Sequence, residues 1–114
     1  MDNIKDDKYF VNKILDCIDV IEKLSENKNA EELEEDILIN NAIMFKFTLI
    51  GEYTTRLTEE YKNSKKSIPW QKIKGLRNNI VHDYEGMVYS RIKKTIDDDL
   101  PMLKKELLKW NTTQ

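Results

Sequence analysis

Apolar residues recur every three or four positions along most of this chain, and that spacing is the period of an amphipathic α-helix. The first such stretch runs from about residue 5 to residue 27, with polar side chains on its other face. Its apolar members are Val11, Ile14, Leu15, Ile18, Ile21 and Leu24. Glycine (3) and proline (2) are scarce, so few residues interrupt helices. The pattern predicts an all-α protein.

A second helical stretch is predicted from about residue 31 to residue 61, with Asn29 as its N-cap. Gly51 lies inside this stretch, where glycine costs roughly 1 kcal/mol against alanine. We therefore expect either a close approach of another helix at this position or a kink. The polar, lysine-rich residues 61–68 predict an exposed loop after the helix.

Three more helices are expected after this loop. Pro69 and Trp70 open the third helix, because proline is at home in a first turn. Trp70 is expected to pack into the core rather than to stack on a base, and Gly86 is the candidate stop. The fourth helix is predicted to end in the three aspartates 97–99, which would cap a final helix beginning near residue 100.

The length of 114 residues fits a single domain spanning 1–114, with residues 110–114 expected to fray. The apolar stretches are too short or too interrupted by charge to cross a membrane, and the first residues do not resemble a signal peptide. The lone Cys17 has no partner for an internal disulfide and is expected to be a semi-buried packing residue. These features favour a cytoplasmic protein.

Charge is distributed unevenly along the chain. Residues 1–61 carry 7 Lys/Arg against 15 Asp/Glu, and residues 62–114 carry 12 against 6, so a net −8 precedes a net +6. A locally positive half can steer a polyanion even when the whole protein carries −2. The plainer alternative is that these charges only solvate helix faces. The acidic clusters 31–35 and 97–99 lack nearby histidines, so we predict neither a metal site nor a cofactor.

The most chemically suggestive segment is Arg77–Tyr84 in the basic half, which contains His82, the only histidine. Arginine offers a fixed charge and a planar fork of donors for a phosphate. A histidine can take or give a proton near neutral pH. Together they suggest the binding and cleavage of a phosphodiester. The alternatives are a helix-terminal histidine, and an ordinary surface ion pair of Arg77 with Glu52 or Asp83.

Helix geometry restricts this hypothesis. Residues five apart point about 140° away from each other, so Arg77 and His82 do not share a face in mid-helix. Asn78 and His82 would share one, as would Arg77 and Tyr84. Two arrangements would still form a site: the helix ends near His82, or a second copy of the chain completes the site across a two-fold axis.

Ile68-Pro69-Trp70, Leu76-Arg77-Asn78 and Val81-His82-Asp83-Tyr84 together resemble the HepT-like branch of the HEPN superfamily. The signature of that branch is Arg, four residues, His, any residue, Tyr. The resemblance covers about residues 36–108, and includes Ile50-Gly51-Glu52 in the second long helix. Tyr53 departs from the family pattern, which commonly has a small residue after Gly-Glu.

The resemblance implies a homodimeric, up-and-down bundle of about five helices, with the two motifs facing each other in a shared cleft. It also implies a metal-independent endoribonuclease that is the toxin of a toxin–antitoxin pair. Arg77 and His82 would be catalytic on an RNA substrate, and Asn78 would support them by orienting either His82 or the phosphate through a hydrogen bond. The antitoxin would be a minimal nucleotidyltransferase that transfers AMP to Tyr84. The alternative function is a non-catalytic helical partner of such a nucleotidyltransferase.

Overall fold

The computed structural model describes residues 3–109 of the chain, with side-chain environments from residue 6 onward. Within those residues the chain forms α1 (Asn3–Ser25), α2 (Ala30–Glu35), α3 (Ile37–Thr55), α4 (Glu59–Ser64), α5 (Trp70–His82), a 3₁₀ turn (Tyr84–Gly86), α6 (Tyr89–Lys94), a π-helical turn (Thr95–Asp99) and α7 (Leu100–Leu108). The predicted all-α class is confirmed. The tail expected to fray, 110–114, lies outside the described residues.

The core lies between α1, α3, α5 and the C-terminal helices. Four of the predicted apolar residues of α1 are almost fully buried there, and they are Val11, Ile14, Ile18 and Ile21. Cys17 is buried among them, and this burial raises the pKa of its thiol, as expected for a packing residue. None of the helices within residues 3–109 combines the length and the apolar character needed to cross a membrane.

The predicted single helix over residues 31–61 is wrong in its continuity. Asn29 does cap the start, since its side chain accepts from Glu32 N–H at 2.8 Å and the Glu32 carboxylate accepts from Asn29 N–H at 2.9 Å. The helix then breaks at Asp36, whose backbone is extended. Its carboxylate accepts from Ile39 N–H at 3.1 Å and begins α3.

The predicted loop over residues 61–68 is also partly wrong, because α4 occupies its first half. Thr58 caps α4, and the buried Asp7 of α1 accepts from both Thr58 N–H (2.8 Å) and Thr58 Oγ1 (2.6 Å). Tyr61 is buried against Trp70, with ring centroids 6.3 Å apart. The Trp70 indole donates to Lys62 O at 3.1 Å, so this side chain packs inward as expected.

The C-terminal segment is one helical rod rather than two capped helices. The backbone stays helical from α6 through the π-helical turn into α7. The prediction that the aspartates cap α7 is therefore wrong. Instead they form ion pairs: Lys93–Asp97 at 2.8 Å, Lys94–Asp98 at 3.3 Å and Lys72–Asp99 at 3.3 Å. The last pair connects this rod to α5.

Candidate active site on helix α5

Helix α5 packs closely against α3, and Gly51 makes this approach possible. Ile80 is the buried anchor of α5, while Ile73 and Leu76 are partly buried against the core. A Cβ atom placed on Gly51 would lie 2.7 Å from Arg77 Cγ, well inside van der Waals contact. Of the two expectations for this glycine, close packing is the one observed. The helix is thereby positioned so that the Arg77 stem lies against the α3 backbone.

Arg77 is held on the α3 side of the helix by polar contacts. Its Nη2 forms an ion pair with Glu52 Oε2, and its Nη1 donates to Asn78 Oδ1 at 2.9 Å. The Nε–H is buried and has no hydrogen-bond partner among the described residues. Of the two partners left open by the sequence, the structure therefore selects Glu52 over Asp83. These contacts fix the guanidinium in one position.

His82 is the last residue of α5 and is exposed to solvent. Its imidazole makes no hydrogen bond or ion pair with the part of the chain that the structure describes. The helix ends at the next residue, where Asp83 N–H donates to Asn79 O at 2.8 Å. His82 and Arg77 therefore lie on different sides of α5, as their spacing predicts, and no hydrogen bond joins them within one copy of the chain.

Tyr84 begins the 3₁₀ turn after α5 and leans back on α3. Its hydroxyl is hydrogen-bonded to Asn41 Oδ1, and Asn40 Oδ1 lies 3.4 Å away. Asn40 is buried, and its Nδ2 donates to the carbonyl oxygens of Leu33 (3.1 Å) and Glu34 (2.9 Å). Tyr84 as a whole residue remains 38% exposed. The motif tyrosine is thus anchored by its hydroxyl and partly accessible to solvent.

Tyr89, the first residue of α6, is the second tyrosine at this end of the bundle. Burial raises the pKa of its hydroxyl, and the neighbouring Tyr84 and Glu34 raise it further. The sequence motif ends at Tyr84, so sequence reasoning missed Tyr89.

One exposed stripe of α3 holds the motif in place. Asn41 contacts Tyr84 and Glu52 contacts Arg77, while Leu38 and Phe45 on the same line are 82% and 59% exposed. These four positions fall within about 60° of one another around the helix. Sequence reasoning missed Asn41, although its spacing from Glu52 places both on one face. The stripe joins an exposed apolar surface to the two motif side chains.

No three histidine, cysteine, aspartate or glutamate side chains between residues 6 and 109 are grouped closely enough to hold a metal ion. In particular, the acidic residues at 97–99 are engaged by lysines.

A helical bundle that carries Arg-x4-His-x-Tyr at the end of its third long helix, α5, defines the HepT-like class of HEPN domain. The chain belongs to the family described as Ribonuclease HepT-like, which matches residues 14–109.

Several curated relatives are similar along most of the chain. A candidate RNase of Methanocaldococcus jannaschii is 26% identical over 90% of this chain and 94% of its own length. The "Probable ribonuclease HepT" of Thermococcus cleftensis is 26% identical over 85% of this chain and 88% of its own length. A third relative, a gamma-glutamylcyclotransferase and candidate RNase of M. jannaschii, is 28% identical over 92% of this chain, which spans only 47% of that protein. No solved structure matches the chain.

Proposed function

We propose that this protein is a metal-independent endoribonuclease toxin that acts as a homodimer, with the Arg77–Tyr84 segments of two copies facing each other. The single observation that carries the proposal is an exposed imidazole at the end of the helix that also holds a fixed guanidinium. The names of the relatives support RNA as the substrate.

The proposed chemistry needs only groups that the chain and RNA supply. The ribose 2′-OH attacks the adjacent phosphorus, a 2′-O–P bond forms, and the bond from phosphorus to the 5′-oxygen breaks. His82 takes the proton from the 2′-OH or gives one to the leaving 5′-oxygen, a role worth about 10²–10⁴-fold. The products are a 2′,3′-cyclic phosphate and a 5′-OH. Because RNA carries its own nucleophile, no metal-bound water is required.

Arg77 is proposed to bind the phosphate and to stabilise the charge that develops on its oxygens. Its contacts with Glu52 and Asn78 each use one N–H of a terminal nitrogen. The second N–H of each nitrogen is left for the phosphate. Asn78 holds the guanidinium from its own helix, so its proposed role is to position Arg77.

Dimerisation is proposed because one chain cannot complete the site. Arg77 and His82 lie on different sides of α5, and a single histidine cannot readily act as base and acid in one step. A two-fold axis beside α5 would place the imidazole of one copy opposite the guanidinium of the other. The apolar side chains Leu38, Phe45 and Val81 are 82%, 59% and 48% exposed beside the motif, and they offer a surface for this pairing.

Control by AMP transfer is the second part of the proposal. In the transfer, Tyr84 Oη would bond to the α-phosphorus of ATP, pyrophosphate would leave, and the hydroxyl proton would pass to the partner enzyme, a minimal nucleotidyltransferase antitoxin. Tyr84 is 38% exposed, but its hydroxyl must first release Asn41. The added phosphate would bring negative charge and bulk to the motif and so exclude RNA.

One observation favours the second candidate function, a non-catalytic partner of a nucleotidyltransferase. The charge of Arg77 is already balanced by Glu52, which weakens its attraction for a phosphate. A cleavage assay distinguishes the two candidates.

The test is incubation of the purified protein with 5′-labelled single-stranded RNA in the presence of EDTA. Wild type should cut and leave 2′,3′-cyclic phosphate ends, and His82→Ala should lose at least about 100-fold of the rate. Glu85→Gln, at an exposed neighbouring position, is the matched control and should cleave normally. Equal rates for wild type and His82→Ala would refute the catalytic role.

A further inference from the structure

A groove of about 430 Å³ separates α5 from the rod formed by α6 and α7, on the side of α5 opposite the Arg77 contacts. This volume lies within the range of about 300–1,000 Å³ that is usual for small-ligand sites. Its floor is apolar and includes Phe47, Ile50 and Leu103. These three side chains are at most 7% exposed, while Met102, which also lines the groove, is an apolar side chain that is 59% exposed.

The groove lies close to the candidate catalytic histidine. Gly75 and Asn79 line it from α5, and His82 follows them by seven and three residues on the same helix. Seven residues amount to almost two full turns, so His82 lies about 20° from the line of Gly75 and one turn beyond Asn79. A chain that places one nucleotide in the groove can therefore place its neighbour beside His82.

The rim is suited to a polyanion. Arg91 is exposed at the rim, and its guanidinium has no hydrogen-bond or ion-pair partner among residues 3–109. The two carboxylates at the rim already have lysine partners, since Asp99 pairs with Lys72 at 3.3 Å and Glu106 pairs with Lys109 at 3.2 Å. The free charge at this opening is therefore positive, and it matches a phosphate.

The wall opposite α5 contains the π-helical turn of residues 95–99. The wider turn is seen where Leu100 N–H donates to Thr95 O, five residues back. Such turns are rare inside α-helices and are frequently found at functional sites. Asn79 on the facing wall has an exposed side-chain amide, which can donate to and accept from the edge of a base.

We propose that this groove is a nucleobase-binding subsite for single-stranded RNA. An unpaired base enters the apolar groove, Asn79 hydrogen-bonds its edge, and Arg91 binds an adjoining phosphate. This inference rests on the proposed ribonuclease function and adds where the substrate lies. Single-stranded RNA fits this groove because its unpaired bases match an apolar surface and its phosphates match a cationic rim. The groove also lies beside a histidine that is proposed to act on phosphodiesters.

Gly75 provides a clean way to close the groove. A Cβ atom on Gly75 would meet no other atom within 4 Å, so a larger side chain can grow into the groove without displacing the fold. Gly75→Phe should therefore fill the subsite, while Gly75→Ala leaves it open and serves as the matched control. Arg91→Ala removes the rim charge, and Lys23→Ala, at an exposed position on α1, controls for a lost cation.

The experiment measures binding of a fluorescent single-stranded RNA 12-mer to full-length chains. All of these chains also carry His82→Ala, so that the RNA is not cleaved during the measurement. Gly75→Phe should weaken binding about tenfold, and Gly75→Ala should not. With an abasic ribose-phosphate 12-mer, Gly75→Phe should bind as its Gly75→Ala control does. Arg91→Ala should weaken the binding of both oligomers and reduce the salt dependence of binding by about one phosphate contact. Lys23→Ala should change neither.

Unchanged RNA binding by both Gly75→Phe and Arg91→Ala overturns the subsite. Gly75→Phe also contradicts the subsite if it weakens binding of the RNA and of the abasic oligomer equally. Loss of self-association in Gly75→Phe contradicts it as well, because the groove would then be a contact between proteins. Failure of the ribonuclease proposal is a separate result: wild type would then fail to cleave RNA whatever the Gly75 variants bind.

Discussion

Arg77 on α5 and Glu52 on α3 form an ion pair that joins the motif helix to the body of the bundle. The pair is bounded on one side by Gly51, which lets the Arg77 stem approach, and on the other by Asn78. The guanidinium is therefore held in place within the folded chain, and in the proposed mechanism this would lower the cost of ordering it in the transition state.

Glu52→Gln tests the role of this ion pair. Without the charged partner the guanidinium is less firmly held, so we expect the rate of RNA cleavage to fall about tenfold and the RNA affinity to change little. Steady-state kinetics separates these effects. A faster variant would contradict the positioning role and would identify Glu52 as a competitor of the phosphate. Glu85→Gln, an exposed change of the same chemistry, is the control.

Gly51→Ala, on α3 where it contacts α5, and Gly75→Ala, on the groove side of α5, make the same chemical change. They should have opposite effects on the free energy of unfolding. The new Cβ at residue 51 would lie 2.7 Å from Arg77 Cγ, so we expect a loss of about 1–3 kcal/mol in the free energy of unfolding. The new Cβ at residue 75 meets nothing within 4 Å, and better helix propensity should add up to about 1 kcal/mol. Urea unfolding measures both. Equal changes in the two variants would contradict the packing described for Gly51.

Tyr84→Phe separates regulation from catalysis. The variant loses the hydrogen bond to Asn41, so we expect the free energy of unfolding to fall by about 1 kcal/mol and RNA cleavage to persist. The hydroxyl that would accept AMP is gone, so incubation with ATP and the antitoxin should neither add mass nor stop cleavage. Full inhibition of this variant by the antitoxin would show that control does not require Tyr84. Tyr9→Phe, at a site 57% exposed on α1, is the matched control.

Tyr61 makes stability depend on pH in alkali. Burial raises the pKa of its hydroxyl to about 12, and the nearby Asp7 and Glu106 contribute. The folded state holds this proton more tightly than the unfolded state, whose tyrosine titrates near 10. The resulting stability is therefore complete below pH 10 and is lost as the pH rises toward 12.

Removing that hydroxyl should flatten the alkaline dependence. Between pH 10 and pH 12 the free energy of unfolding of Tyr61→Phe should fall less steeply than that of wild type, with Tyr9→Phe behaving as wild type. The measurement is urea unfolding at several pH values. Identical slopes for wild type and Tyr61→Phe would contradict the raised pKa.

The sequence predicted the helices whose signals are local. Asn29 and Glu32 form a capping box within four residues, and Trp70 follows a proline suited to a first turn. It did not predict α4, because that helix is held by Asp7, which contacts Thr58 from 51 residues away. The same holds for Asp99, whose partner Lys72 lies on another helix.

The candidate site divides in the same way. Arg77, His82 and Tyr84 could be found because they lie within one short motif. The contact of Asn41 with Tyr84 could not, since it joins residues that are 43 apart in the sequence. The groove beside Gly75 could not be found either, because its walls come from α5 and a rod whose π-helical turn no sequence pattern announced.

The most direct measurement is RNA cleavage by mixed dimers of His82→Ala and Arg77→Ala chains, with the mixed species verified by mass. Each variant alone should be inactive. In a mixed dimer, one intact imidazole faces one intact guanidinium, so we expect cleavage clearly above that of either parent. Verified mixed dimers that are as inactive as their parents would contradict a site shared between two copies of the chain.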